Sequence, residues 1–487
     1  MKLQISLRQL VSAFFLVLAL PLQAVEKNAV DSDPEKLDAI SYFTALSNLA
    51  NPIMFAELGE SLITSPYERD DWLRRAGYVT RPPMPDIAIV GPVYRSALPR
   101  FQPAADFSNP ESLRWQPDSF DRTLDPQAQA WTLLKITSPQ FHLQFHDLQE
   151  NRLAALMMVP QARVQARLLN ERLRNPEGLF APRRPDGSFE PATPADQAAT
   201  LWGLSSLILA ASRPRDDYWH QAYRALVDAD DYRPYAANAL AALEQLPPSS
   251  PGDKAIAIEA LGRYALIAMD RQQRDRALSL ARDHGLSLLQ APAERTEDLA
   301  MAAYGLTEAG RLLGDDRYLK GAQQRFRQLL RRWDEKSGLF VTDSKPAPIV
   351  YGPRTVGALV AALNAMRWYG PDELAQQARG IHPRFIENAM IRSGLLRASP
   401  RALISMAYLN NPAVARFSLL PDPETAGTAP VFVSEVHYEN GEWRVTDPLF
   451  RTADALFLSN MLALHTQGEA DTFLPDELIK SLRGPMR

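Results

Sequence analysis

From about residue 127 onward, apolar residues recur at three- and four-residue spacing in text rich in Ala, Leu, Arg, Gln and Glu, the pattern of amphipathic helices. Helix starts are marked by Ser or Thr followed by Pro or an acid: TPADQ at Thr193, SPGDK at Ser250, RTEDL at Thr296, ASPRAL at Ser399 and RTADAL at Thr452. The stretch YGPRTVGAL, with Pro353, adds a sixth. Indexed about seven residues ahead of an inner Leu, the marks fall at Asp196, Asp253, Asp298, Thr355, Arg401 and Asp454, 45 to 57 residues apart. That interval fits two helices plus two loops, so the pattern predicts an all-α fold of about six αα-hairpins. Five of the marks are followed by a small residue or Met and then Leu, as in DQAATLWGL and DLAMAAYGL. Small residues on such helices let neighbours approach closely.

A second element recurs between the helices. The stretches from Asn175, Asp334 and Glu439 each carry a Gly-containing turn, a short aromatic-bearing extended piece and a polar loop ahead of a marked helix. They make one rim of the array loop-rich. Upstream, a helix is expected from Asp33 and Pro34, and residues 78–126 read as a Pro-punctuated extended segment that wraps a surface or links two parts. Residues 1–24, with Lys2 and Arg8 ahead of a short apolar run ending at Ala24, read as a secretory signal peptide. The expected organisation is therefore a leader over 1–24, N-terminal helices and a Pro-rich segment over 25–126, and the helical array over 127–487. A periplasmic or secreted protein, with no membrane span once the leader is cleaved, is expected.

Composition narrows the function classes. A formal charge of −4 with acids and bases interleaved argues against a nucleic-acid partner, which needs a concentrated basic patch. The absence of Cys excludes a lipid-anchored or disulfide-stapled exported chain and covalent haem. No P-loop, Gly-rich dinucleotide fingerprint or GxSxG elbow is present, and no cofactor is expected.

The hairpins, the Gly-Leu-Phe turns and the stretch TEDLAMAAYGLTEAGRLLGDDRYLKGAQQRFRQLLRRWDEKSGLF together resemble the six-hairpin (α/α)6-toroid superfamily. The local likeness is to the helical part of YyaL-like proteins and to N-acylglucosamine 2-epimerase relatives, strongest over Thr296–Phe340. This superfamily hosts glycosidases, epimerases, polysaccharide lyases and non-catalytic members, so the resemblance implies a fold and leaves the activity open. It also implies that the inner helices point their N-termini at one face, where the marked positions meet at a central cleft.

The residues expected there are Asp196, Glu297, Asp298, Tyr351, Arg354, His437, Asp447 and Asp454. Chemistry at an anomeric centre needs two carboxyl groups roughly 5–10 Å apart. Asp196 with Asp298 or Asp454 is the candidate pair for a hydrolase- or lyase-like reaction, while epimerisation would rest on His437. Trp202, Tyr304, Trp443 and Phe450 are candidates to stack on sugar rings, with core packing as the other reading. Each acid also reads as a helix cap, since an acid in the first turn is favoured by the helix dipole. His142 and His146, four apart, form a weak metal candidate with no third ligand in the text, and no metal site is expected. Two functions stay open: a toroid that binds or processes an oligosaccharide or other small polar ligand, and a non-catalytic periplasmic factor that holds a protein partner.

Overall fold

The computed structural model describes residues 59–63, 74, 88–98, 120–137, 152–213, 218–341, 348–400, 428–462 and 474–483. Six helices form an inner ring: α1 (Pro126–Thr137), α3 (Pro194–Ser212), α6 (Pro251–Ile267), α8 (Thr296–Leu313), α10 (Pro353–Tyr369) and α12 (Thr452–Leu462). Each packs on the next, and α12 packs back on α1, so the ring is closed. Outside it, α2 (Arg152–Arg167) packs on α1, α5 (Ala229–Gln245) on α3, α7 (Arg271–Gln290) on α6, α9 (Asp316–Leu330) on α8 and α11 (Asp372–Ile386) on α10. A short α4 (Tyr218–Leu226) lies against α2 and α3, and α13 (Asp476–Arg483) against α8 and α6. The chain has the all-α toroid architecture that the hairpin spacing predicts.

The expected starts hold for α3, α6, α8, α10 and α12, but α8 and α10 carry no side-chain cap, and Thr296 is the first residue of α8 and donates instead to the Val341 carbonyl. Thr193 and Asp196 form a reciprocal capping box, Ser250 caps α6, and Pro353 opens α10. The sixth member differs. Arg401 lies outside the described residues, and Ser399, read as a helix start, sits in strand β7 (Leu396–Pro400), which pairs antiparallel with β8 (Thr428–Phe432). A residue before proline is biased to extended backbone, and the partner strand completes the ladder. The missing inner helix is α1, capped by Asp125, whose carboxylate accepts from the Ala128 N–H at 3.0 Å. Thr132 and Leu133 stand seven and eight residues beyond Asp125, in register with the other marks.

The short strands gather on the rim. β2 (Ala88–Ala97) pairs with β1 (Gly59–Ile63), β3 (Phe120–Leu124) and β11 (Phe450–Arg451), tying the upstream segment to the residues just before α12. β4 (Trp333–Asp334) pairs with β5 (Leu339–Phe340). The second rim sheet runs β10 (Glu442–Asp447), β9 (Glu435–Glu439), β6 (Ile349–Tyr351).

The recurrent Gly-Leu has a packing cause. A Cβ on Gly203 of α3 would lie 2.8 Å from the Ala130 carbonyl oxygen of α1, and one on Gly305 of α8 would lie 2.7 Å from the Ala255 Cβ of α6. Both glycines thus mark places where inner helices touch almost backbone to backbone. Where α12 meets α1, Asn460 Nδ2 donates to the Trp131 carbonyl at 3.1 Å.

The ring interior is layered along its axis. Trp131, Trp202 and Phe457, all buried, form an aromatic layer, with Trp131 edge-on to Trp202 at 5.5 Å and to Phe457 at 5.6 Å. Toward the helix C-termini Arg263 lies over Trp202, and Glu259–Arg263 (3.0 Å) and Glu308–Arg311 (2.7 Å) form a buried ionic layer. Arg311 stacks on Tyr369 and donates to the Leu474 carbonyl and to Asp476, so α13 and its lead-in close this end.

Two outcomes follow. Gly305→Ala is expected to cost about 1–3 kcal/mol because the helices must part, whereas Gly380→Ala on α11, where a Cβ meets nothing within 4 Å, is expected to be neutral or stabilising; urea denaturation of both variants checks the contrast. Burial, with Glu308 adding to it, pushes Glu259 up to about 8 despite Arg263. A carboxyl raised in the folded state stabilises fully below its unfolded value and loses that contribution as pH rises through its folded value. Wild-type melting temperatures should therefore fall as pH rises from the ordinary carboxylate range to about 8 and level off above it, and Glu259→Gln should flatten that part of the profile.

Candidate functional site

At the opposite end of the ring the inner helices present their first turns to one another, and a hydrogen-bonded chain crosses the opening. Gln127 Nε2 of α1 donates to Asp196 Oδ1 of α3 at 2.9 Å. Arg354 of α10 donates to Gln127 Oε1 and, through Nε, to Asp454 Oδ1 of α12 at 3.0 Å. On the other side of Arg354, Thr355 donates to Glu297 of α8 at 3.3 Å. Below, the Arg354 guanidinium lies 5.0 Å from the Phe457 ring centre, so the aromatic layer floors this mouth.

Asp125, Gln127, Arg354 and Asp454 keep part of their surface open, while Asp196 beneath them is 1% exposed. Burial and the nearby Asp125 push Asp196 up to about 7, against the opposing hydrogen bonds from Gln127 and Thr193. Asp125 is itself raised, by desolvation first and by Asp454 among the smaller causes. Beside it stands Arg95 of β2, held by Glu190 at 2.5 Å. Their ion pair lowers the Glu190 carboxyl below its usual range.

The structure brings together some of the expected residues and disperses others. Asp196, Arg354 and Asp454 meet at the mouth. Asp298 is on the same rim but pairs with Arg295 at 3.5 Å, and among the described residues no hydrogen bond joins it to Asp125, Asp196 or Asp454. Trp202 and Tyr304 are fully buried inside the ring, in the aromatic layer and beside Glu259 and Glu308 respectively. Tyr351 is buried too; its hydroxyl donates to the Phe340 carbonyl at 2.7 Å and accepts from the Phe340 N–H at 2.8 Å, which fixes β6 to β5. His437 and Trp443 lie on the rim sheet, His437 against Glu435 at 2.9 Å and Trp443 against Tyr351 and Tyr438. Asp447 pairs with Arg451 at 3.5 Å, and Phe450 is buried. His142 and His146 lie outside the described residues. Among those residues no cluster of metal-binding side chains occurs, and no helix is long and apolar enough to cross a membrane.

Asp125, Gln127, Arg95 and Glu190 are the site residues that sequence reasoning passes over. The signal for Asp125 is the Asp-Pro pair of TLDPQAQAW, an N-cap followed by proline in the first turn.

No protein family and no curated protein sequence matches this chain. Among solved structures it is similar to a D-mannose isomerase (11% identity, 82% of this chain and 97% of that one, TM-score 0.45). It is similar also to cellobiose 2-epimerase from Spirochaeta thermophila (15% identity, 81% and 97%, TM-score 0.42). A third is unsaturated glucuronyl hydrolase from Streptococcus agalactiae (11% identity, 92% and 95%, TM-score 0.43). What the chain shares with them is a fold-level resemblance; the ring itself rests on its own helix contacts.

Asn in place of Asp196 keeps an oxygen that can accept from the Thr193 N–H and carries no charge to desolvate. Asp196→Asn is therefore expected to melt within a few degrees of wild type below pH 7 and above it at about pH 9, as the cost of ionising Asp196 is removed. Melting curves across this range decide it, and a uniform loss at every pH would show that the carboxylate itself is needed for folding.

Proposed function

We propose that the mouth of the ring binds carbohydrate and processes it by carboxyl chemistry, in a protein exported by its leader to the periplasm or beyond. The observation that carries the reading is the meeting of Asp125, Asp196 and Asp454 around Gln127 and Arg354. Cleavage at an anomeric centre divides the work between a carboxyl that holds a proton and one that does not. Asp125, raised by its surroundings, suits the acid, and Asp454, paired with Arg354, suits the base or nucleophile. The remaining groups suit a hydroxyl-rich ligand, since the carboxylates accept from hydroxyls and Arg354 donates to ring or linkage oxygens. Asp196 lies too deep to touch a ligand and supports the floor.

A second reading, a non-catalytic factor that holds a protein partner, is favoured by one observation. Trp131, Trp202 and Phe457 fill the ring, so any ligand stays at the mouth beneath β2 and does not pass deeper.

A thermal-shift screen against neutral, amino and uronic-acid oligosaccharides separates the two. One class at about a hundred times its dissociation constant is expected to add about 2.7 kcal/mol of stability. Asp454→Asn and Arg354→Ala should remove the shift without lowering the ligand-free melting temperature by more than a few degrees. If no carbohydrate shifts the wild type and no bond cleavage is detected in the same panel, the carbohydrate reading is wrong and the partner-holding one stands.

A further inference from the structure

The chain of hydrogen bonds across the mouth has a directional constraint. A carboxylate only accepts and a guanidinium only donates, so the Gln127 amide between Asp196 and Arg354 has a single satisfied orientation, Nε2 toward Asp196 and Oε1 toward Arg354. The other oxygen of Asp196, Oδ2, is held by the Thr193 N–H at 2.8 Å, which can do nothing but donate. A proton arriving at Asp196 is therefore placed on Oδ1, on the side of Gln127. Asp196 then becomes a donor and needs an acceptor there.

We infer that Gln127 reads the protonation state of Asp196 and passes it to Arg354. With Asp196 ionised, the amide holds Arg354 between itself and Asp454. When Oδ1 takes up a proton from solvent, that O–H donates to Gln127 Oε1 and the amide turns over. Its Nε2 now faces the Arg354 guanidinium, donor against donor, and Arg354 leaves Gln127 while keeping Asp454. The guanidinium that a ligand meets at the mouth is thus tied at higher pH and released at lower pH.

The charges around the device are few. Asp125 at the start of α1 acts directly on Asp196 and favours its protonated form. Arg354 and Asp454 face it across Gln127, and Arg95 and Glu190 stand behind Asp125. Of the other helices against α3, α6 carries Asp253 and Lys254 in its first turn, and Glu244 of α5 is taken by Arg276. Burial sets Asp196 to titrate at about 7, within reach of ordinary buffers.

As regulation of ligand binding the inference rests on the carbohydrate reading, but the switch needs no ligand, so it is tested on the full chain alone. Crystal structures of the wild type at about pH 5.5 and about pH 8.5, and of Asp196→Asn at the higher pH, are compared at the Gln127–Arg354 contact. In the variant the side-chain oxygen stays on Thr193 N–H and the amide nitrogen faces Gln127, a permanent copy of the protonated acid. The expected result is that the contact is present in the wild type at the higher pH, lost at the lower pH, and lost in Asp196→Asn at the higher pH. Retention in the wild type at both pH values overturns the inference, and so does retention in the variant. The carbohydrate screen takes no part in this comparison, so either proposal can fail while the other stands.

Discussion

Six parallel helices that close into a ring bring six N-termini to one face, and each carries the equivalent of about half a positive charge together with unsatisfied N–H groups. The structure answers this by lining that face with acids: Asp125, Asp196, Asp253, Asp298 and Asp454 each sit at or near the start of an inner helix. Helix α10 is the exception. It begins Gly-Pro-Arg-Thr and sets Arg354 where the fields are already positive. Asp454 and Glu297 on the neighbouring helices, reaching Arg354 and Thr355, supply the compensation. Arg354 is the cation whose hydrogen bonds to Gln127 and Asp454 join part of this ring of acids into a connected polar floor.

The interior then separates charge from charge. Between the polar mouth and the buried ionic layer stand Trp131, Trp202 and Phe457, with Arg354 over one of these rings and Arg263 over another. Guanidinium groups stack on aromatic faces more readily than ammonium groups, which suits arginine to this boundary. Buried ion pairs such as Glu308–Arg311 seldom add net stability, because desolvation offsets their attraction. Their value here is positional, since Arg311 anchors Leu474 and Asp476 and so holds α13 over the ring's far end.

The fold was legible where local chemistry and global packing agree. Thr193 and Ser250 announce helices by caps and Pro353 by its place in a first turn, and Gly203 and Gly305 mark close helix contacts. It was illegible where a distant partner decides. Ser399-Pro400 reads locally as a helix start, yet β8, nearly thirty residues on, draws it into a strand. Asp125 was hidden for the opposite reason, as its Asp-Pro cap ends a proline-rich stretch and has no Ser or Thr to flag it. Asp196 and Asp454 were found because caps are readable. That the two meet through Gln127 and Arg354 was not, because the link joins four helices spread over more than three hundred residues. Trp202 and Tyr304 show the limit of residue type, for aromatics suited to stacking on a sugar are equally suited to filling a ring.

The seam between α1 and α12 sets the order in which the molecule can be assembled. Asn460 and the Trp131 carbonyl are 329 positions apart, and β2 pairs across the same join with β11. Contacts that far apart are slow to find each other. Until the last inner helix docks, Trp131 and its neighbours line an open flank, which is the kind of surface that captures other incomplete chains. The closed circle therefore depends on its last inner helix: only when α12 docks are Trp131 and its neighbours covered on that side.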